Sequence, residues 1–282
     1  MKKLVFGLVA TVMFGCIGNA QEGKENDKRV NVEKLTNDLL DINKGYVQDY
    51  QKRSFKSWCQ IGVADVGGAW AGCWAGGKIG SLFGPQGAAI GSGVGAVVVG
   101  AAASYGASRM ASTGLNPKLL DERILSYDSS ITFSNPNQNP FDISCGKRHN
   151  ELLVSLLKNN NAEESTDLNN IYINIKLNDN EILFYKEKID ATIGFYSMFK
   201  NSDDIVETFK NLIDINVTDS ILHKIMNNYI DGVHATGNLD DAIKLTNEYE
   251  AYIILNEEIS EEQRATLLMG FSVARYSFNF WN

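Results

Sequence analysis

Residues 66–107 read VGGAWAGCWAGGKIGSLFGPQGAAIGSGVGAVVVGAAASYGA, and this stretch decides the fold. Gly68, Gly72, Gly76, Gly80 and Gly84 recur every fourth residue. Gly87, Gly91 and Gly95 form a second line, which Ala103 and Ala107 continue beyond Val99. On a helix, residues four apart share a face, so each line is a strip without side chains. Two such strips let helix backbones approach closely, as small residues do between transmembrane helices. The spacing predicts helices over Val66 to Phe83 and Gln86 to Ala107, with Gly84-Pro85 as the hinge. Glycine ends a helix readily, and proline is tolerated in the first turn of the next.

Each predicted helix is about 30 Å long at 1.5 Å per residue, near the thickness of a hydrocarbon core. The second carries no charge between Gln86 and Ala107, and the first carries Lys78 near its end, where an ammonium can snorkel to an interface. Trp58, Trp70, Trp74 and Tyr105 are candidate interfacial aromatics. Glycine costs a water-exposed helix about 1 kcal/mol relative to alanine. These helices therefore need close packing, a bilayer or a partner. The block is only mildly hydrophobic, so insertion, self-association and burial within a soluble helical protein all stay open.

Upstream, Lys2 and Lys3 precede the apolar run Leu4 to Phe14, which has the form of an export signal over residues 1–20. Gly18 and Ala20 suit ordinary cleavage before Gln21, whereas Met13-Phe14-Gly15-Cys16 resembles a loose bacterial lipobox that would lipidate Cys16. Either route exports the chain to the outer membrane, cell surface or medium.

The 282 residues carry a formal net charge of −8, and loss of Lys2 and Lys3 would make the mature chain more acidic. That excludes a nucleic-acid partner held by a basic face and disfavours electrostatic attraction to anionic lipid. Beyond Cys16 the cysteines are Cys59, Cys73 and Cys145. Cys59 and Cys73 are the candidate disulfide, although on one continuous helix they would stand about 21 Å apart. Three reduced buried thiols are the alternative.

The rest of the chain is organised around the hairpin. Residues 21–60 read as a charged tether followed by an amphipathic helix from Val30 to about Trp58, broken near Gly45. Residues 61–112 hold the glycine hairpin and 113–140 a linker with Pro136 and Pro140. Residues 141–282 read as a helical domain, with apolar faces at Ile205 to Ile213, Ile221 to Ile230, Leu245 to Ile253 and Leu267 to Phe278. Ser202 and Ser260 are start signals, the latter with Gln263 in capping-box spacing, and Gly237 is a stop. Ile171, Ile173 and Ile175 alternate as a short strand would. The expected fold is mainly α: an N-terminal amphipathic helix, a glycine-zipper hairpin and a C-terminal bundle of about six helices in all.

The run Phe83-Gly84-Pro85-Gln86-Gly87-Ala88-Ala89-Ile90-Gly91, continued to Tyr105, resembles the core of two-peptide class II bacteriocins. Those peptides carry G-x-x-x-G helices and permeabilise membranes. The block is also similar to the glycine-zipper hairpin of small bacterial outer-membrane lipoproteins. Both resemblances cover about a sixth of the chain. Asn139-Pro140-Phe141-Asp142 and Gly146-Lys147-Arg148-His149-Asn150 resemble the opening of uncharacterised secreted bacterial helical proteins, which implies a domain start near residue 139 and no activity.

Catalytic motifs are missing from the sequence. His149, His223 and His234 have no metal-ligand spacing, and the acidic pairs Glu163-Glu164, Asp203-Asp204, Asp240-Asp241, Glu257-Glu258 and Glu261-Glu262 fall mostly where helices begin. No cofactor is implied. The expectation is an exported, non-enzymatic envelope or surface protein whose hairpin inserts into lipid or self-associates, with an unidentified protein partner open for the C-terminal domain. A bacteriocin-like permeabilising protein is the alternative, and a soluble secreted protein with the hairpin in its core is the third reading.

Overall fold

The computed structural model describes residues 32–46, 57–80, 85–110, 140–159, 210, 213, 217–236 and 238–282. The protein is mainly α, with seven helices and no strand among these residues. They are α1 (Val32–Lys44), α2 (Ser57–Gly80), α3 (Pro85–Met110), α4 (Pro140–Asn159), α5 (Ser220–Ala235), α6 (Leu239–Leu255) and α7 (Glu261–Trp281). The export signal with Cys16, the alternating isoleucines near 171–175, Ser202, Gly237 and most of the 205–213 face lie outside the described residues.

Helices α2 and α3 pack antiparallel through their small residues. A Cβ built on Gly68 would stand 2.6 Å from the Ala103 Cβ and 2.8 Å from the Val99 carbonyl oxygen. One on Gly72 would overlap the Gly95 carbonyl, and one on Gly76 the Gly91 carbonyl. Gly95 meets the Gly72 carbonyl in return. Gly80 and Gly87 fall in the end turns of α2 and α3, while Gly84 lies outside the described residues. Pro85 opens α3, where its missing N–H has no intrahelical partner to lose.

Two features differ from the sequence expectation, the first a boundary. Helix α1 ends at Lys44, and Trp58 to Asp65 belong to α2, so a division at residue 60 cuts through a continuous helix. The Gly45 break is real: its N–H closes a turn on the Ile42 carbonyl at 3.1 Å. The second difference is the fate of the aromatics. Trp70 is fully buried in protein and Tyr105 is 4% exposed, so neither sits at a solvent or lipid boundary. Trp74 is half-buried beneath the Lys78 ammonium, 4.5 Å from its ring centroid.

The hairpin is the centre of the molecule. From Cys59 to Gly77 and from Gly91 to Ser108, every side chain but Trp74 and Ser92 is buried. Helix α7 packs on α2, α4 and α6, and α4 covers α3. Helix α7 is itself buried without a break from Thr266 to Phe278, where the sequence suggested a single apolar face. Its docking reuses the device seen inside the hairpin, a large group seated on a bare backbone. A Cβ on Gly62 would overlap the Phe278 ring, one on Gly146 the Tyr276 ring, and one on Gly270 the Trp70 indole.

The far side of α7 is aromatic. Trp70, Tyr229, Tyr249 and Phe271 make edge or tilted contacts with centroids 5.1 to 6.2 Å apart. Their polar atoms are satisfied: Trp70 Nε1 donates to the Leu267 carbonyl at 3.3 Å, and the Tyr229 and Thr246 hydroxyls lie 2.7 Å apart. Helix α1 closes this side, because the Tyr249 hydroxyl donates to Asn43 and the Tyr252 hydroxyl to Asp38. Ser260 caps α7 in a full capping box with Gln263.

Cys59, Cys73 and Cys145 are buried thiols, none of them in a disulfide. The Cys59–Cys73 bridge does not form: both lie on α2, on the order of 21 Å apart along its axis. Burial pushes the Cys59 thiol well above its ordinary pKa, which leaves it protonated and unreactive.

Candidate functional site

Four helices bring one polar cluster into the apolar core. Asp65 enters from the middle of α2, a helix whose other charged residue is Lys78 near its end. Ser277 and Trp281 come from the last turns of α7, Ser104 from α3, and His149 and Asn150 from α4. Asp65, Ser104, His149, Asn150 and Ser277 are fully buried and Trp281 nearly so.

One carboxyl oxygen organises the cluster. Asp65 Oδ2 accepts hydrogen bonds from the Ser277 hydroxyl and from Trp281 Nε1 at 3.2 Å. The same indole N–H is shared with Ser104 Oγ at 3.0 Å. His149 Nε2 stands 3.4 Å from Asp65 Oδ2, an ion pair when the ring is protonated. Asp65 Oδ1 and both ring nitrogens of His149 are buried without a hydrogen bond, so the Nε2–Oδ2 approach is a proximity and not a hydrogen bond. The imidazole fits because Gly100 lacks a side chain: a Cβ there would stand 3.0 Å from Nδ1. Asn150 Nδ2 adds a bond to the Tyr276 carbonyl at 3.2 Å.

Aspartate, histidine and serine are the residues of a hydrolase triad, but the connectivity is different. A catalytic serine must bond the imidazole that takes its proton, with the carboxylate on the other ring nitrogen. Here serine and histidine both address the same carboxyl oxygen, and no atom of the three side chains reaches solvent. The arrangement activates no nucleophile. What it does is tie the last turns of α7 to α2 and α3 through buried polar contacts.

A second buried pair lies on the other side of α7. Arg275 pairs with Glu250 of α6, and its Nε and Nη2 donate to Asn247 Oδ1 at 3.0 and 2.9 Å. Burial pushes the Arg275 pKa down to about 10.

The other histidines do not join His149. His223 lies 3.3 Å from the Asn227 amide on α5, and His234 is exposed at the end of that helix. No metal-holding group of three ligands occurs among the described residues. Asp240-Asp241 and Glu261-Glu262 occupy the first turns of α6 and α7, where their charge favours the helix dipole. A surface groove of about 380 Å³ opens elsewhere, between α1 and the end of α6, beside Asp38, Tyr252, Leu255 and Glu257.

Sequence reasoning missed the Asp65 cluster. The one available signal was an acid in an otherwise apolar, glycine-rich helix, which must find partners if it is buried. Comparison with protein-family models, with curated proteins and with solved structures finds no match to this chain.

Proposed function

We propose that this is an exported, non-enzymatic bacterial envelope or surface protein that keeps its glycine hairpin sheathed and self-associates through it on release. The supporting observation is a contrast between two interfaces. Inside the hairpin, α2 and α3 touch backbone to backbone through Gly68, Gly72, Gly76 and Gly95. Between the hairpin and its cover, the contact includes a buried acid, an imidazole and two shared N–H and O–H donors. The inner contact is made by backbone and small side chains of α2 and α3 alone. The outer one is made in part by buried polar groups. A helix pair that is apolar on all sides must be covered by protein or lipid, so release exposes a surface that seeks a second copy.

No helix among the described residues is long and apolar enough to cross a membrane. This favours self-association over independent spanning. Gly270→Leu tests the proposal in the full chain, because the new side chain displaces Trp70 and with it α7, while the glycine contacts stay intact. Light scattering should find a monomer for the native chain and a discrete oligomer for the variant. A variant that exposes the hairpin to hydrogen exchange and remains monomeric would overturn the proposal.

The second reading makes the hairpin the permanent core of a secreted helical protein, and the near-complete burial of α2 and α3 favours it. It predicts that Gly270→Leu unfolds without ordered assembly. A bacteriocin-like action is separated by dye release from vesicles, which self-association alone does not produce.

A further inference from the structure

Helix α1 carries one buried residue per turn. Between residues 33 and 46, Leu35, Leu39 and Asn43 are buried, and they lie four apart on one face. Helix α7, by contrast, is buried without a break from Thr266 to Phe278. The seat of α1 is made by α5 and α6. Its third anchor is polar and enters a fitted socket. Asn43 Nδ2 donates to the Asn228 carbonyl at 2.8 Å, and Asn43 Oδ1 accepts from the Tyr249 hydroxyl at 2.9 Å. The amide fits because Gly232 is bare, and a Cβ there would overlap Asn43 Oδ1. At the rim, the Tyr46 hydroxyl donates to Glu248 at 2.6 Å and the Tyr252 hydroxyl to Asp38 at 3.1 Å.

This is the geometry of an amphipathic helix laid in a groove. At 13 residues α1 has the length at which an isolated helix is marginal in water, so the seat makes it helical. The fit is uneven along its length. Asn43 is plugged in near the C-terminal end, whereas a groove of about 380 Å³ runs beside Leu35 and Asp38 of α1 and Tyr252 and Leu255 of α6. Leu255 stays 80% exposed there.

We propose that the seat between α5 and α6 accepts α1 of a second copy in exchange for its own. The seat recognises leucine, leucine and asparagine at four-residue spacing, and α1 is the segment that carries them. When α1 lifts, the Tyr249 hydroxyl and the Asn228 carbonyl lose their partner and the two leucine sites are uncovered. The α1 of a second copy restores each of these contacts, so reciprocal exchange closes a two-fold dimer without any new surface. Within one chain the covalent tether keeps α1 at high effective concentration. A dilute chain is therefore monomeric, and exchange belongs to high local concentration. The hairpin stays covered throughout, so this exchange stands apart from the hairpin release proposed above.

Two variants of the full chain separate the halves of the contact. Asn43→Asp spoils α1 and keeps the seat, because a carboxylate cannot donate to the Asn228 carbonyl. Gly232→Leu spoils the seat and keeps α1. Native mass spectrometry should find each one monomeric alone and a 1:1 heterodimer in the mixture. A fluorescein-labelled peptide of residues 30–46 should bind the Asn43→Asp chain saturably and the Gly232→Leu chain about tenfold or more weakly. In the native chain, amides of α1 should exchange hydrogen about tenfold or more faster than those of α5 and α6.

Folded variants that stay monomeric when mixed would overturn the exchange, and so would α1 amides that open only together with α5 and α6. Should either variant lose its helical circular dichroism, hydrogen exchange of the native chain decides. An Asn43→Asp chain that takes up phosphatidylcholine–phosphatidylglycerol vesicles and leaves the peptide unbound would give the seat to lipid and overturn the exchange. A heterodimer formed while Gly270→Leu stays monomeric removes hairpin association and leaves the exchange of α1.

Discussion

The indole of Trp70 fills the space that a Cβ on Gly270 would need. Its N–H reaches the Leu267 carbonyl of the same helix at 3.3 Å. The contact joins the hairpin to α7 through a notch one side chain deep, with Tyr229 and Phe271 packed edge-on around the ring. A joint of this kind is tight and selective, and it has no tolerance for added volume.

Inside the hairpin the same intolerance should be measurable. Alanine favours a helix over glycine by about 1 kcal/mol. At Gly76 that gain is opposed by overlap with the Gly91 carbonyl, which is backbone and cannot rotate aside. Overpacking typically costs about 1–3 kcal/mol and sometimes more, so Gly76→Ala should destabilise despite its propensity. Urea unfolding checks this; a stabilised variant would mean that the two backbones do not touch.

The Arg275–Glu250 pair makes an asymmetric prediction. Removing one partner strands the other in the core, where breaking a buried pair costs about 3–5 kcal/mol. Arg275→Met should therefore be severe, since Glu250 Oε1 has no hydrogen bond of its own. The double change Arg275→Met with Glu250→Met should recover most of that loss. A thermal-melt cycle over the four proteins measures the coupling.

The cysteines should be silent in the native state. Cys59, Cys73 and Cys145 are buried and outside any disulfide, and burial raises the Cys59 pKa. A maleimide should label none of them natively and all three after denaturation without reductant. A mass unchanged by reduction confirms that no bridge joins Cys59 to Cys73.

A weak pH dependence should come from His234. Partial burial lowers its pKa, against the pull of Asp231 and with the push of Lys210. Its folded value lies below the unfolded one, so the unfolded chain takes the proton first and stability falls as pH drops below the ordinary histidine range. The exposed position keeps the effect small. His234→Gln should remove this slope from acid melting curves.

Local periodicity carries the elements, and in those the sequence was sufficient. Four-residue spacing puts Gly68, Gly72 and Gly76 on one helix face. Pro85 marks the start of α3, and Ser260 with Gln263 marks the start of α7. Each of these depends on residues within one or two helical turns. The faces of α5 and α6 were legible for the same reason, since one side of each helix remains wet.

Tertiary structure alone decided what covers the hairpin. A segment that is apolar on all sides reads alike whether protein or lipid surrounds it. The choice was made by α7 and α4, which lie far along the chain. Ser277 and Asp65 are 212 residues apart, and no spacing rule connects them to His149. Chain periodicity says which residues share a face. Which faces meet is set by long-range packing, where a bare backbone admits an indole and a buried acid finds its donors.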